Sequence, residues 1–250
     1  MIAITKPVPP SIDRCELTHL TREPIDVSRA RAQHRLYEQT LERLGCTIER
    51  LPMEPGNPDS VFVEDTAIVL PEIAIITRPG AESRRAEVAT VAAALRKHRS
   101  LAEIEEPGTL DGGDVLVIGK RIFVGISSRT DHDAVRQLKN IAAPFGYGIH
   151  PVVVTGCLHL KSAVTQIGEG SVLLNPAWID SQCFSDYDVV EAGEANGANA
   201  LFIAGRVIVA SAFPRTHERL ERRGFAVESI DASELAKAEG ALTCCSVIVA

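Results

Sequence analysis

An internal repeat constrains this chain most: strand-like apolar runs recur at intervals of about forty to fifty residues, the period of cyclic and stacked architectures. Five units align on their strand starts, at residues 61–70, 109–118, 159–167, 198–203 and 243–249. In most of them polar or reactive residues stand just before the apolar run. Packing about one axis would bring those leading residues to a common end, so that Glu64, Asp65, Asp111, His159 and Cys244 face one pocket.

The runs come as hairpins. Ala67–Leu70 pairs with Ile73–Thr77, Val115–Ile118 with Arg121–Gly125, Ala163–Ile167 with Ser171–Asn175, and Leu201–Ala204 with Val207–Ala210. Connectors such as Gly119-Lys120 and Gly205-Arg206 are short and turn-rich. Apolar spacing predicts helices over residues 27–44, 84–97 and 131–145, the last behind Thr130 as N-cap, and a shorter one from Thr216 to before Gly224. Extended runs follow at residues 47–51, 150–154 and 226–230. The unit is strand–strand–helix–strand. Only the fifth hairpin lacks a partner, and the strand Met1–Thr5 at the other end would close the ring and remove an exposed edge. A single domain over residues 1–250 is expected, because no linker-like stretch interrupts the pattern.

Composition narrows the function classes. A net charge of −7 argues against a nucleic-acid surface, and no apolar run approaches a membrane span. The N-terminus lacks the basic start and apolar core of a secretion signal. Six cysteines show no metal-type spacing, so free thiols in a reducing cytoplasmic compartment are expected. No metal and no cofactor signature stands out, and no phosphate-binding glycine loop.

Each candidate has a bland reading. A strand-end cysteine is usually core filler, and Cys245, on the opposite face to Cys244, takes that reading. Among the histidines only His159 occupies the place held by Asp111 and Cys244 in their own units, where it could act as acid and base beside a thiol. Asp111-Gly-Gly-Asp114 reads as a tight turn that also lets backbone approach a ligand. Asp59, Glu64 and Asp65 surround an apolar triplet, a costly arrangement unless a cation pairs with them. Arg84 and Arg129 suit bidentate carboxylate binding. Together these groups describe a pocket for a zwitterion with a cationic far end, such as an amino acid bearing a guanidinium.

These stretches resemble the dimethylarginine dimethylaminohydrolases of the guanidine-modifying, or pentein, superfamily. The resemblance is carried by Pro58–Asp65, Ile76–Arg85, Leu110–Val115, Ser128–Thr130, Leu158–Ser162 and Leu242–Ser246, in family order over nearly the whole chain. It implies a five-bladed, pseudo-symmetric α/β propeller of ββαβ units. It also implies a cysteine-dependent hydrolase that converts N-omega-methylated arginines to citrulline and an alkylamine through a covalent thiouronium intermediate. By that resemblance Cys244 is the nucleophile, His159 the acid–base and Asp111 its carboxylate partner. Glu64 and Asp65 surround the guanidinium, Asp59, Arg84 and Arg129 hold the amino-acid end, and Leu17 belongs to an N-terminal flap. Ala238 and Glu239 stand where a larger aliphatic residue and an aspartate are common, which touches substrate fit. A homodimer is compatible with all of this. The rival readings are an arginine or agmatine deiminase and, in a different class, a non-catalytic propeller that binds a partner.

Overall fold

The computed structural model describes residues 1–250 throughout. β1 (Ile2–Thr5) leads into α1 (Val27–Arg43) and β2 (Thr47–Arg50). The Asp26 side chain caps α1 by accepting the Arg29 N–H, and Gly45, at φ 90°, turns the chain out of it. Next come β3 (Ala67–Val69), β4 (Ile73–Ile76), α2 (Val88–Leu95) and β5 (Ser100–Glu103). The following unit holds β6 (Val115–Ile118), β7 (Arg121–Ile126), α3 (His132–Ala142) and β8 (Gly148–Val153). A single turn, α4 (Leu160–Ala163), precedes β9 (Val164–Gly168), β10 (Ser171–Leu174) and β11 (Asp188–Glu191). Then follow β12 (Ala200–Ile203), β13 (Arg206–Ala210), α5 (Pro214–Arg222) and β14 (Ala226–Ile230), and finally α6 (Ser233–Ala236) and β15 (Val247–Val249).

The strands form five sheets of three, ordered β15-β1-β2, β3-β4-β5, β6-β7-β8, β9-β10-β11 and β12-β13-β14. Within each sheet the first two strands are antiparallel and the third is parallel to the middle one. A parallel partner needs a crossover, supplied by α1, α2, α3 and α5. The fifth sheet joins the two ends of the sequence, with Ile2 opposite Val249 and Ala3 opposite Ile248. This is the α/β propeller expected from the repeat.

The first strand of each sheet is innermost. β15 touches β3, and β9 touches both β6 and β12. Side chains of all five line an axial cavity of about 230 Å³. The crossing helices form the outer layer and bury one stripe each. In α3 the stripe is Ala134, Val135, Leu138 and Ala142, packed on Ile122 and Val124 of β7. Each large aliphatic side chain in such a stripe stabilises the fold by about 2 kcal/mol.

Three expectations need correcting. The helix over 84–97 is a 3₁₀ segment (Glu82–Glu87) running into α2, which ends at Leu95. Thr130 does not cap α3; Asp131 does, accepting the Ala134 N–H, while the buried Thr130 hydroxyl donates to Asp114. The third unit has no crossing α-helix, only the 3₁₀ turn Ser181–Phe184. Two outer strands, β5 and β11, stand outside the sequence expectations; each is four residues long and largely solvated.

Candidate active site

Four of the five inner strands are preceded by one tight helical turn, and these turns carry the reactive groups. Val63–Thr66 contains Glu64 and Asp65, Gly112–Asp114 follows Asp111, α4 follows His159, and Thr243–Cys245 contains Cys244. Turns from separate sheets can approach only where a side chain is missing. A Cβ on Gly112 would lie 2.0 Å from the Glu64 carbonyl oxygen, and one on Gly113 would lie 2.6 Å from His159 Nδ1 and 2.7 Å from Asp65 Oδ1. Gly113→Ala must therefore push the imidazole aside. A misplacement of about 1 Å lowers turnover by about a hundredfold. A steady-state assay, with circular dichroism to confirm folding, checks this.

His159 is 4% exposed and held from two sides. Its Nε2 lies 2.9 Å from Asp111 Oδ2, and its Nδ1 lies 3.8 Å from Asp65 Oδ1. Asp111 is fully buried and also accepts the Gly80 N–H at 2.9 Å. Asp114 fixes the turn below the histidine: it accepts from Ser127 Oγ, Thr130 Oγ1 and the Leu160 N–H. Burial disfavours charge on His159, but Asp65, the hydrogen bond to Asp111, and Asp114 outweigh it and raise the imidazolium pKa to about 9. Burial opposes the charge of Asp65 too, yet His159 and Arg84 hold that carboxyl below its usual range.

The two cysteines differ in environment. Cys245 is fully buried among the apolar residues beneath α1. Cys244 is half-buried and shares a small pocket with Asp65 and His159. They sit in a 3₁₀ turn and not, as the sequence suggests, on a strand, since β15 begins only at Val247. Burial pushes the Cys244 thiol well above its usual pKa, and Glu64 and Asp65 add to the rise.

The same pocket is walled by Asp59, Arg84, Arg129, Ala238 and Glu239, and closes around about 20 Å³. Arg84 is buried and largely committed: Nη1 donates to Asp65 Oδ2 at 2.5 Å, Nε and Nη2 donate to Glu87, and Nη2 also donates to the Phe62 carbonyl. Arg129 donates to Thr18 Oγ1 and has Nη1 3.8 Å from Asp111. Asp59 accepts the Glu16 N–H, and Glu239 accepts main-chain N–H groups of Thr18, His19 and Leu20. Leu17 is half-buried against the apolar cluster below α1. Glu64 lies behind the pocket, on the wall of the axial cavity, where Lys161 Nζ donates to it at 2.5 Å and Thr243 Oγ1 at 2.8 Å. Its burial raises its pKa against the pull of Lys161.

Lys161, Thr243 and Glu87 complete this arrangement and went unread in the sequence. Glu87 stands three residues after Arg84, a spacing that pairs side chains on a helical turn, and that signal was available. Asp65, Asp111 and His159 also present ligand atoms within 4.8 Å of one another, a geometry that could hold a cation. All three are already hydrogen-bonded within the protein.

The arginine deiminase family model matches residues 52–165. A dimethylarginine dimethylaminohydrolase of Streptomyces coelicolor is 41% identical over 236 residues, covering 92% of this chain and 90% of the relative. The chain belongs to the dimethylarginine dimethylaminohydrolase family. The Pseudomonas aeruginosa family member is 32% identical, with 94% of each protein covered. Solved structures of the family agree. A cysteine-to-serine variant of the Pseudomonas enzyme with citrulline superposes with a TM-score of 0.91 at 31% identity, covering 98% of this chain and 97% of that one. A histidine-to-glycine family member, present as an adduct with S-methyl-L-thiocitrulline, superposes with a TM-score of 0.92 at 31% identity and 98% coverage of both chains.

Proposed function

We propose that this member of the dimethylarginine dimethylaminohydrolase family hydrolyses N-omega-methylated arginines to citrulline and the corresponding methylamine, with Cys244 as nucleophile. One observation carries the reading: Cys244 and His159 share a small buried pocket whose other walls include four carboxylates, Glu16, Asp59, Asp65 and Glu239, and two arginines, Arg84 and Arg129. Such a site is matched in charge to a zwitterionic amino acid with a guanidinium end. Asp65 faces the cationic end, with Glu64 behind it, while Asp59 and Arg129 stand where an α-amino group and an α-carboxylate would pair. Arg84 retains one Nη1 hydrogen beyond its internal bonds and contributes there. Ala238 and Leu158 shape the aliphatic part of the pocket, while Leu17 packs on the apolar cluster that contains Ala238 and does not itself line the wall.

The chemistry follows from the charges. Burial, with Glu64 and Asp65 adding to it, holds the Cys244 thiol protonated in the free protein; a bound guanidinium offsets these charges and favours the thiolate. The thiolate attacks the guanidinium carbon and forms a C–S bond. Protonated His159 passes its proton to the departing amine as the C–N bond breaks, leaving a cationic thiouronium adduct. Neutral His159 then takes a proton from water, the resulting hydroxide adds to the same carbon, and the C–S bond breaks to release citrulline and regenerate the thiol. Asp111 keeps one ring nitrogen occupied, so the other exchanges protons. Two modest barriers replace one high barrier, and aligned charges in a dry pocket supply much of the acceleration.

The test is a citrulline assay on asymmetric dimethylarginine, monomethylarginine, arginine and agmatine. The methylated arginines are expected to turn over and agmatine, which has no carboxylate for Arg129, is not. Preferential ammonia release from arginine would instead assign a deiminase. With asymmetric dimethylarginine, kcat/KM is expected to rise with pH as the Cys244 thiol begins to ionise while His159 keeps its proton, and to level off near pH 9, where loss of that proton offsets the gain in thiolate. The six thiols are all free, which fits a reducing compartment, and we place the protein in the cytoplasm. No helix is long and apolar enough to cross a membrane.

A further inference from the structure

Residues 16–25 make no main-chain to main-chain hydrogen bond and belong to neither helix nor strand. Thr18 to Pro24 are exposed. Side chains alone tie this segment down over the small pocket. At its start the Glu16 N–H reaches Asp59, and Ser83 Oγ donates to the Glu16 carboxylate. At its far end Lys237 Nζ donates to the Pro24 carbonyl.

The centre is held chiefly by one residue. Glu239 Oε1 lies 3.1 Å from the Thr18 nitrogen, 2.5 Å from that of His19 and 2.6 Å from that of Leu20, and Oε2 lies 3.0 Å from the Thr18 nitrogen. Three consecutive amides therefore converge on one carboxylate some 220 positions away in sequence. An ionised acceptor makes such bonds stronger than a neutral one would. The backbone of Glu239 is itself unusual: its φ is 55°, the left-handed region that side chains other than glycine, asparagine and aspartate rarely adopt. Such an outlier is retained where the surroundings hold it for a purpose. Anchoring the centre of the segment also fixes Thr18, whose hydroxyl accepts from Arg129.

We propose that Glu239 is a positioning residue that latches the 16–25 segment as a flap over the substrate pocket, and that its carboxylate serves the flap backbone and not the substrate. This rests on the reading of that pocket as the methylarginine site. With the latch made, the pocket is shut to about 20 Å³. Substrate must therefore enter with the latch broken and be retained once it re-forms. Glu239 governs binding and release, while the reacting groups stay where they are.

Trp178, the only tryptophan, lines an adjoining cavity of about 330 Å³ together with His19 and Leu20, so its emission reports the flap. The experiment compares Glu239→Gln and Glu239→Asp with the wild type by amide hydrogen exchange of a peptide spanning 16–25, by Trp178 emission, and by kcat and KM. Glutamine keeps the length and removes the charge; aspartate keeps the charge. In Glu239→Gln, exchange at Thr18–Leu20 is expected to accelerate about tenfold, Trp178 emission to shift to the red, and KM to rise about tenfold with kcat within about threefold. Exchange in α2 should not change, and Glu239→Asp should restore most of the protection. Unchanged exchange and emission in Glu239→Gln overturn the latch. A raised KM with unchanged exchange also overturns it, and assigns Glu239 to substrate contact. If the wild type turns over no methylarginine, the proposed function fails, and the exchange and emission data still decide the latch.

Discussion

Cys244→Ser is expected to abolish citrulline formation, lowering kcat by on the order of 10⁴-fold or more, the scale on which removing a covalent nucleophile acts in other hydrolases. The adjacent Cys245→Ser is expected to keep most activity and to lose about 1–2 kcal/mol of stability, because it puts a hydroxyl in an apolar core. The contrast is the informative part. Both thiols belong to one 3₁₀ turn, and only Cys244 opens on the pocket with His159. Parallel assays and thermal melts of the two variants read it directly. Wild-type turnover by Cys244→Ser would refute covalent catalysis at this position. A collapse of activity in Cys245→Ser without loss of folding would transfer the role to the wrong sulfur for this geometry.

His159→Asn carries the second large effect. Asparagine removes the proton donor and the base, so turnover should fall by about a thousandfold or more while methylarginine still binds. With S-methyl-L-thiocitrulline the leaving group departs as a thiol and needs less protonation. Adduct formation should then outlast adduct hydrolysis, and intact-protein mass spectrometry should find the Cys244 adduct accumulating. The histidine-to-glycine relative was captured as an adduct of this same compound. Full turnover in His159→Asn, with no adduct at any time, would remove the histidine from both steps.

Much of this was legible in the sequence, and the reasons are physical. A propeller repeats one packing problem, so its apolar runs recur with a period, and the equivalence of positions singles out His159 from six other histidines. Glycines were equally informative. Gly112 and Gly113 read first as turn residues, and in three dimensions they are the places where neighbouring turns make their closest approach. What stayed hidden depends on contacts between distant residues. Nothing near Lys161 in sequence points to Glu64, nor does anything near Glu239 point to Thr18. Thr130 was misread as a helix cap because Asp131 beside it is chemically just as apt. Tertiary context decided between them, turning the threonine inward to Asp114.

The sheet that unites β15, β1 and β2 has a consequence for when the molecule acquires its chemistry. Ile2 meets Val249 across nearly the full length of the polypeptide, and contacts so remote in sequence form late, since a large loop must close before they bring any stabilisation. The sulfur of Cys244 lies three residues before β15. A chain with four sheets assembled and this last seam open would carry the histidine and the carboxylates but no delivered thiol. Reactivity thus becomes a property of the sealed ring, and partly folded molecules stay chemically silent.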